Sequence, residues 1–460
     1  MAKILIASIG TGRQQGNENR YAYDVAEYFL SSEPDQCVET PLIISAIKRY
    51  YQIEKLILMG TSGSDWASLY DYIYSERNTD IECTGTADDS FYAELDDVFK
   101  DARQRPPKVL PVQEMQDMLI PLKRAMGNFC DSICVLHYGT DNEEQISNLA
   151  ILNQIANRLN NNDEIYFDIS HSFRSLPLYE LLVVNLAKAA LKRDIKMKLV
   201  TYGMHEARYS FDYRTPIVDM TQLVELIDWT RAIDEYNRFG TAYLLGELCE
   251  GETAIAASIR NLLTKEAIKA LRLLGDSITA NNIADFQTLV RRCSRVINNE
   301  SYQLSRDPLL TIFERLFTDI DNEFGKYKDD MVALQLTCSV WHFKNKRYLH
   351  CAISAIEGLL RMFLGVLGED NHKDNRLKMR SILTARDCPR SNDSHVKKII
   401  ATYRTANKTR NDLAHGESLD AEGLQKLGDF SVNSRTLYLE QFEQDGVRRD
   451  ALRVALSEKW

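Results

Sequence analysis

The feature that most constrains this chain is a change of periodicity near residue 220. Before it, short β-branched runs alternate with amphipathic segments; after Thr221 the strand signal almost vanishes and long helical periods take over. Alternation of this kind builds a sheet covered by helices on both faces, so residues 1–220 are expected to form a Rossmann-like, mostly parallel α/β domain. Its expected strands are residues 3–8, 55–59, 132–138, 164–169 and 196–202. Helices are expected at 21–30, 65–75, 113–126 with a kink at Pro121, 143–160 and 175–192. Residues 207–212 and 217–220 read as a closing hairpin edge.

The rest is expected to be all-α. Helical periods run through 221–236, 241–248, 254–274 and 283–296, and Pro308 follows a polar stretch, dividing a helical connector at 221–317 from a final bundle at 318–460. A chain of 460 residues is too long for one ordinary core, which agrees with this division. No run of eighteen apolar residues interrupts it, and Met1, Ala2 and Lys3 lead straight into a strand pattern, so the expectation is a cytoplasmic protein. The nine cysteines form no CxxC pair, which points to neither a disulfide framework nor a zinc site.

Charge is distributed unevenly. Residues 1–220 carry 22 Lys and Arg against 32 Asp and Glu, and the remainder is balanced. Within that balanced half, residues 373–410 hold 11 basic side chains against three acidic ones, a surface suited to phosphates.

Two groups of residues carry candidate chemistry. In an open α/β sheet, ligands bind at the carboxyl ends of the strands, where glycine lets backbone amides approach phosphate. Gly10, Thr11 and Gly12 follow the first strand, and Gly60, Thr61 and Ser62 follow the second. A dinucleotide fingerprint is not met, because the next glycine is Gly16. The fourth strand ends in Asp168-Ile169-Ser170-His171-Ser172-Phe173-Arg174, where Arg174 can fork onto phosphate and Ser170, His171 or Ser172 can bond sugar or base; the competing reading is a capped helix start.

The second group lies near the C-terminus. Arg-x-x-x-x-His occurs at Arg390/His395 and again at Arg410/His415. The first sits in a turn-like run after Pro389, whereas the second lies on a helical pattern stopped by Gly416. Asn411 and His415 are four apart and share a helix face, so the amide can orient the imidazole. Arg410 lies about 140° round the helix from His415 and must reach over to act with it. Such a set can bind a scissile phosphate and move a proton, and RNA brings its own nucleophile, the 2′-hydroxyl, so no metal is needed. A symmetric dimer pairing two motifs would supply two histidines.

Taken together, the 168–174 run, Thr215-Pro216-Ile217-Val218-Asp219, Leu226-Ile227-Asp228-Trp229, Arg238-Phe239-Gly240 and Arg410-Asn411-x-x-x-His415 resemble the CRISPR-associated Rossmann-fold (CARF) plus HEPN ribonucleases of type III CRISPR systems, ancillary effectors of the Csx/Csm type. Residues 341–357 resemble the helix that precedes the catalytic one. The resemblance implies a homodimeric endoribonuclease of antiviral defence, silent until cyclic oligoadenylate binds. It then cuts single-stranded RNA without metal to a 2′,3′-cyclic phosphate. Cyclic tetra-adenylate is the expected activator. Arg410 and His415 would be catalytic with Asn411 in support, and Thr11, Gly12, His171, Ser172 and Arg174 would hold the activator. Ser170 and Ser172 stand where such proteins usually have Thr and Gly, and the Ser172 side chain narrows the pocket. Two other readings stay open: a ring nuclease that degrades its own activator, and a sensor without catalysis.

Overall fold

A computed structural model describes residues 2–15, 20–172, 176–251, 255–257, 275, 277, 278, 281–298, 308–416 and 420–460. The chain divides into two compact units, Met1–Val224 and Glu225–Trp460.

The first unit is built on an eight-stranded sheet. Its strands are β1 (Lys3–Ser8), β4 (Ala26–Leu30), β5 (Glu33–Thr40), β6 (Lys55–Thr61), β7 (Cys130–Leu136), β8 (Glu164–Asp168), β9 (Lys196–Gly203) and β10 (Thr215–Asp219), in the order β5-β4-β10-β9-β8-β1-β6-β7. The short strands β2 (Arg13–Gln15) and β3 (Arg20–Ala22) form a separate antiparallel ribbon. Pairing is parallel from β9 through β7 and between β4 and β10, and antiparallel for β9–β10 and β4–β5. Alternation along β1 sends Leu5 and Ala7 to one face and Ile4 and Ile6 to the other, and each pair joins a different hydrophobic cluster. One face is covered by α1 (Ile43–Tyr51), α2 (Trp66–Tyr74), α3 (Asp89–Asp101), α4 (Val112–Met118) and α5 (Ile120–Ala125). The other is covered by α6 (Asn142–Arg158) and α7 (Leu176–Asn185), which continues as a π turn over Leu186–Ala190. Both faces of the central strands are therefore dry, which is why they read as β-rich runs.

Several expectations are corrected. Residues 21–30 are not a helix: β3 and β4 occupy them, and β4 is held between β10 and β5. The expected helix at 113–126 is two helices meeting at Leu119, with Pro121 in the first turn of α5, where its missing N–H costs nothing. Residues 217–220 do not close an edge, because β10 lies inside the sheet between β9 and β4, and residues 205–210 form a 3₁₀ turn. The edges are β7 and β5, the latter an exposed strand that the expectation omitted.

The second unit is helical, as expected. Its principal helices are Tyr243–Glu250, Ile283–Ile297, Pro308–Phe324, Met331–Lys344, Tyr348–Leu367, Lys373–Thr384, Ser394–Ala414, Ala421–Leu437 and Gly446–Ser457. The Thr221–Phe239 helix leads into them. Most of the expected helix at 254–274 lies outside the described residues. Buried side chains from Trp229 to Leu456 form one hydrophobic cluster, and the boundary after residue 317 falls inside the Pro308–Phe324 helix. Residues 341–357 are not one helix; they span the break at Asn345, and the Lys373–Thr384 helix comes before Ser394–Ala414. The Tyr348–Leu367 helix is long and apolar enough to cross a membrane by length and composition, with a mean hydropathy of 1.5. Its Leu359, Leu360 and Phe363 are fully buried in the helical cluster.

Candidate functional site

At the carboxyl ends of β1, β8 and β9 the first unit opens into a cavity of about 650 Å³. Gly10, Thr11 and Gly12 line one side, Ser170, His171 and Ser172 another, and Tyr202 and Gly203 a third. Two of the three expected segments thus converge.

The first segment is pinned by its backbone. The Gly10 amide donates to the Tyr23 hydroxyl at 3.1 Å, and its carbonyl accepts the Asp65 amide at 2.7 Å. Gly12 adopts φ +62°, a left-handed turn that glycine enters without a Cβ penalty. Burial pushes the Tyr23 phenol well above its ordinary range, Asp65 adding to it, so Tyr23 is a neutral wall residue.

The second segment rests on a buried carboxyl. Ser170 donates to Asp168 at 2.5 Å and accepts the Gly203 amide at 2.7 Å, tying the end of β8 to the end of β9. Thr201 also reaches Asp168, at 3.1 Å. Burial pushes Asp168 up to about 7, against these hydrogen bonds. Ser172 stands 2.8 Å from the Ser8 hydroxyl, and Ser8 donates to the buried Glu180. Burial drives that carboxyl well above its usual range, and its Oε2 has no hydrogen-bond partner, as suits a neutral acid. His171 packs edge-on against Tyr23 at 4.6 Å, and its Nε2 accepts the Ile43 amide at 3.4 Å. Burial pushes this imidazole down to about 4, with His205 adding, so it is neutral at physiological pH.

Gly60, Thr61 and Ser62 do not reach this cavity. Thr61 and Ser62 are buried, the Thr61 amide donates to Ser64 and its carbonyl accepts the Trp66 indole N–H at 2.9 Å. A Cβ at Gly60 would lie 2.4 Å from the Trp66 ring, so this glycine admits an aromatic side chain rather than a phosphate. Arg174 lies outside the described residues. The expectation missed Tyr23, Asp24, Tyr28, Tyr202, His205 and Glu206, all of which line the cavity. Tyr202 and Gly203 follow from the strand-end rule applied to β9. Tyr23 and Tyr28 were hidden by reading their segment as helix.

In the second unit, Arg410 and Asn411 occupy the last two turns of the Ser394–Ala414 helix, and His415 is its C-terminal cap. The His415 amide donates to the Asn411 carbonyl at 2.9 Å, and Gly416 ends the helix with φ +79°. His415 is exposed, while Arg410 and Asn411 are half-buried. Arg410 lies two turns beyond the buried Tyr403 on one helix side. Burial pushes Tyr403 up to about 12, with Arg380 and Arg410 opposing. Arg380 and Arg376 both bond Glu357, at 3.1 and 2.9 Å. The helix thus parts Arg410, toward the half-buried Arg376–Glu357–Arg380 cluster, from His415, toward solvent. The other pair is broken, since Arg390 is in a loop and His395 follows the Asp393 cap. Among the described residues, no three His, Cys, Asp or Glu side chains converge as a cation site requires.

The chain is 25% identical over 432 residues to the CRISPR-associated protein MJ1674 of Methanocaldococcus jannaschii, covering 91% of this chain. It spans 62% of that relative's length. A structure of Enterococcus italicus Csm6 bound to cyclic hexa-2′-fluoro-hexa-dAMP aligns with 100% of this chain and 99% of its own at 12% identity, with a TM-score of 0.38. Residues 4–206, which include every described wall of the cavity, match the family described as CRISPR system endoribonuclease Csx1, CARF domain. Residues 4–206 are therefore similar to a CARF domain, within a chain similar to a CRISPR-associated protein.

Proposed function

We propose that the chain is an endoribonuclease governed by a cyclic oligoadenylate, which binds in the cavity of the first unit. The observation that carries this reading is the lining of that cavity. Tyr23, Tyr28, Tyr202 and His171 put aromatic rings in the wall beside which adenines can pack, and the Gly10–Gly12 backbone and the Ser170 and Ser172 hydroxyls can bond phosphate and ribose. Residues that recognise a base by stacking and a phosphate by backbone groups suit an oligonucleotide better than a lone nucleotide sugar or a metal.

Arg410, Asn411 and His415 perform the cleavage in this reading. His415 moves the proton of the 2′-hydroxyl or of the leaving oxygen, Arg410 holds the scissile phosphate, and Asn411 orients the imidazole. The RNA 2′-hydroxyl attacks the adjacent phosphorus and the 5′-oxygen leaves, which gives a 2′,3′-cyclic phosphate without metal. Arg410 and His415 diverge on one helix, so two copies of the chain facing each other complete the site.

An RNase assay with linear adenylates and cyclic rings of three to six adenylates tests the proposal. The expected result is cleavage of single-stranded RNA only with a ring, cyclic tetra-adenylate foremost, in chelator-treated buffer. RNA left intact with every ring would overturn it and favour a sensor without catalysis. The neutral His171 in the cavity wall favours a second reading, in which the first unit opens the ring. Linear products after incubation of the ring with protein would support that activity, and an unchanged ring would remove it.

A further inference from the structure

The basic segment is organised more finely than its charge excess shows. In the Ser394–Ala414 helix, Lys397, Arg404, Lys408, Asn411 and the capping His415 recur at intervals of seven, four, three and four residues. At about 100° per residue these positions fall on one stripe, within roughly 40° either side of a line along the helix. The three cations and His415 are exposed. Tyr403, Ala406 and Arg410 fall on the opposite side, and the first two are fully buried.

Beside the N-terminal end of this stripe is a cavity of about 380 Å³. Its floor is the apolar pair Pro389 and Ile400, both buried, and its rim carries Arg390, Lys397 and Arg404. Ser391 and Asn392 close one end. The volume lies within the roughly 300–1,000 Å³ of small-molecule sites, so it takes a nucleotide rather than a lone ion.

The two acids that flank the cavity in sequence have other partners. Asp387 bonds Lys459 at 2.7 Å, and Asp393 accepts the His395 and Val396 amides as the helix cap. Among the described residues, none of Arg390, Lys397, Arg404 and Lys408 is held in an ion pair. Arg404 meets only the Cys388 sulfur, at 3.3 Å. Three cations about an apolar floor, with Lys408 one turn beyond Arg404, form a site for a polyanion that also carries flat apolar groups.

We propose that this cavity and the stripe leading from it to His415 are a track for the backbone of single-stranded RNA. One nucleotide sits between Arg390, Lys397 and Arg404, and the strand then passes Lys408 to reach His415. The helix rise from Arg404 to His415 is about 16 Å, which an extended strand covers in a few nucleotides. The inference rests on the ribonuclease reading above. It adds that substrate is held at a second place, remote from the bond that breaks, so that long RNA is preferred to short.

The test measures binding of the full chain, with cyclic tetra-adenylate, to a single-stranded RNA bearing 2′-O-methyl groups, which has no nucleophile with which to cleave itself. Each phosphate contact on a single strand contributes about 0.7 to the slope of log affinity against log salt. The Lys397→Gln/Arg404→Gln chain is therefore expected to show a slope shallower by about 1.4, and affinity at about 0.1 M salt lowered roughly ten- to thirtyfold. The Lys397→Arg/Arg404→Lys chain is expected to keep the original slope. An unchanged slope in the Gln double variant, with unaltered circular dichroism, overturns the track. Equal competition by poly-glutamate also overturns it and makes the stripe a surface for an acidic protein. Cleavage of unmodified RNA by the unaltered chain is assayed alongside. Cleavage with an unchanged slope overturns the track alone, whereas a changed slope without cleavage supports the track and overturns the ribonuclease reading.

Discussion

The Ser170 hydroxyl donates to the Asp168 carboxyl across 2.5 Å, and the same oxygen accepts the Gly203 amide. A serine two residues beyond β8 thereby joins two strand ends beneath the ligand cavity, and it does so on a carboxyl that burial keeps partly protonated.

That carboxyl sets a pH dependence. Asp168 is pushed up to about 7 in the folded chain, whereas an unfolded Asp titrates near 3.8. The folded state binds the extra proton, so stability is fully present below the unfolded value and is lost as pH rises through about 7. The full effect is on the order of 4 kcal/mol. Urea unfolding of the first unit is expected to need less denaturant at pH 7.5 than at pH 5, and Asp168→Asn should flatten part of that difference. An identical pH profile in the variant would refute the assignment.

His171 titrates in the opposite sense. Its folded value of about 4 lies below the ordinary 6.5, so its contribution is lost as pH falls through that window. Histidine ring signals followed by NMR should show no His171 protonation between pH 6 and 8. A midpoint above 6 would mean that the imidazole is not desolvated as described.

Glu180 distinguishes a neutral acid from a charge. Its carboxyl accepts the Ser8 hydroxyl, with Ser172 at 3.4 Å, and burial raises its pKa strongly. Glu180→Gln keeps the shape and acceptor and should change stability by less than about 1 kcal/mol at pH 7, whereas Glu180→Ala should cost about 2–4 kcal/mol. Chemical denaturation separates the two; a Gln variant as weak as the Ala variant would show that the carboxyl is ionised.

Gly240 is fixed by two constraints at once. It adopts φ +64°, and an added Cβ would lie 2.2 Å from the Trp341 ring. Gly240→Ala is expected to lower the stability of the helical unit by about 2–4 kcal/mol through strain and overpacking. A thermal-melt midpoint equal to that of the unaltered chain would contradict this.

In the proposed reading, His415 serves catalysis and not sensing. His415→Ala should abolish RNA cleavage, by at least about a thousandfold, while leaving binding of cyclic oligoadenylate unchanged. Asn411→Ala should reduce the rate by about tenfold to a hundredfold if the amide orients the imidazole as proposed. Gel assays of cleavage and calorimetry of ligand binding give the two readouts, and cleavage retained by the His415→Ala chain would move the active site elsewhere.

The structure follows the expected pattern most closely where both faces of a strand are buried. β1, β6 and β8 appear within a few residues of their expected bounds, because double burial demands apolar or β-branched runs, and β7 and β9 do so through their apolar stretches Ile133–Leu136 and Leu199–Val200. Ala26–Leu30 was misread, since a short apolar run fits a helix turn as well as a strand, and only pairing with β10 and β5 decides between them. Tyr23 and Tyr28 followed that error into the cavity wall. Gly60-Thr61-Ser62 failed for a different reason: its strand-end glycine makes room for Trp66, a packing demand with the same local spelling as a phosphate loop.

The amino-acid sequence by itself determined the two architectures, the helix that carries Arg410, Asn411 and His415, and its stop at Gly416. These depend on periodicity and on residues within a few positions of one another, and local physics suffices for them. Tertiary structure alone decided which strand ends share a cavity, and that Asp168 and Glu180 are buried acids rather than exposed anions. It also left Arg390, Lys397 and Arg404 around one opening, with Asp393 capping its helix and Asp387 bonded to Lys459. Each of these depends on contacts between residues far apart in the chain, and desolvation and charge pairing are set by those contacts rather than by local spelling.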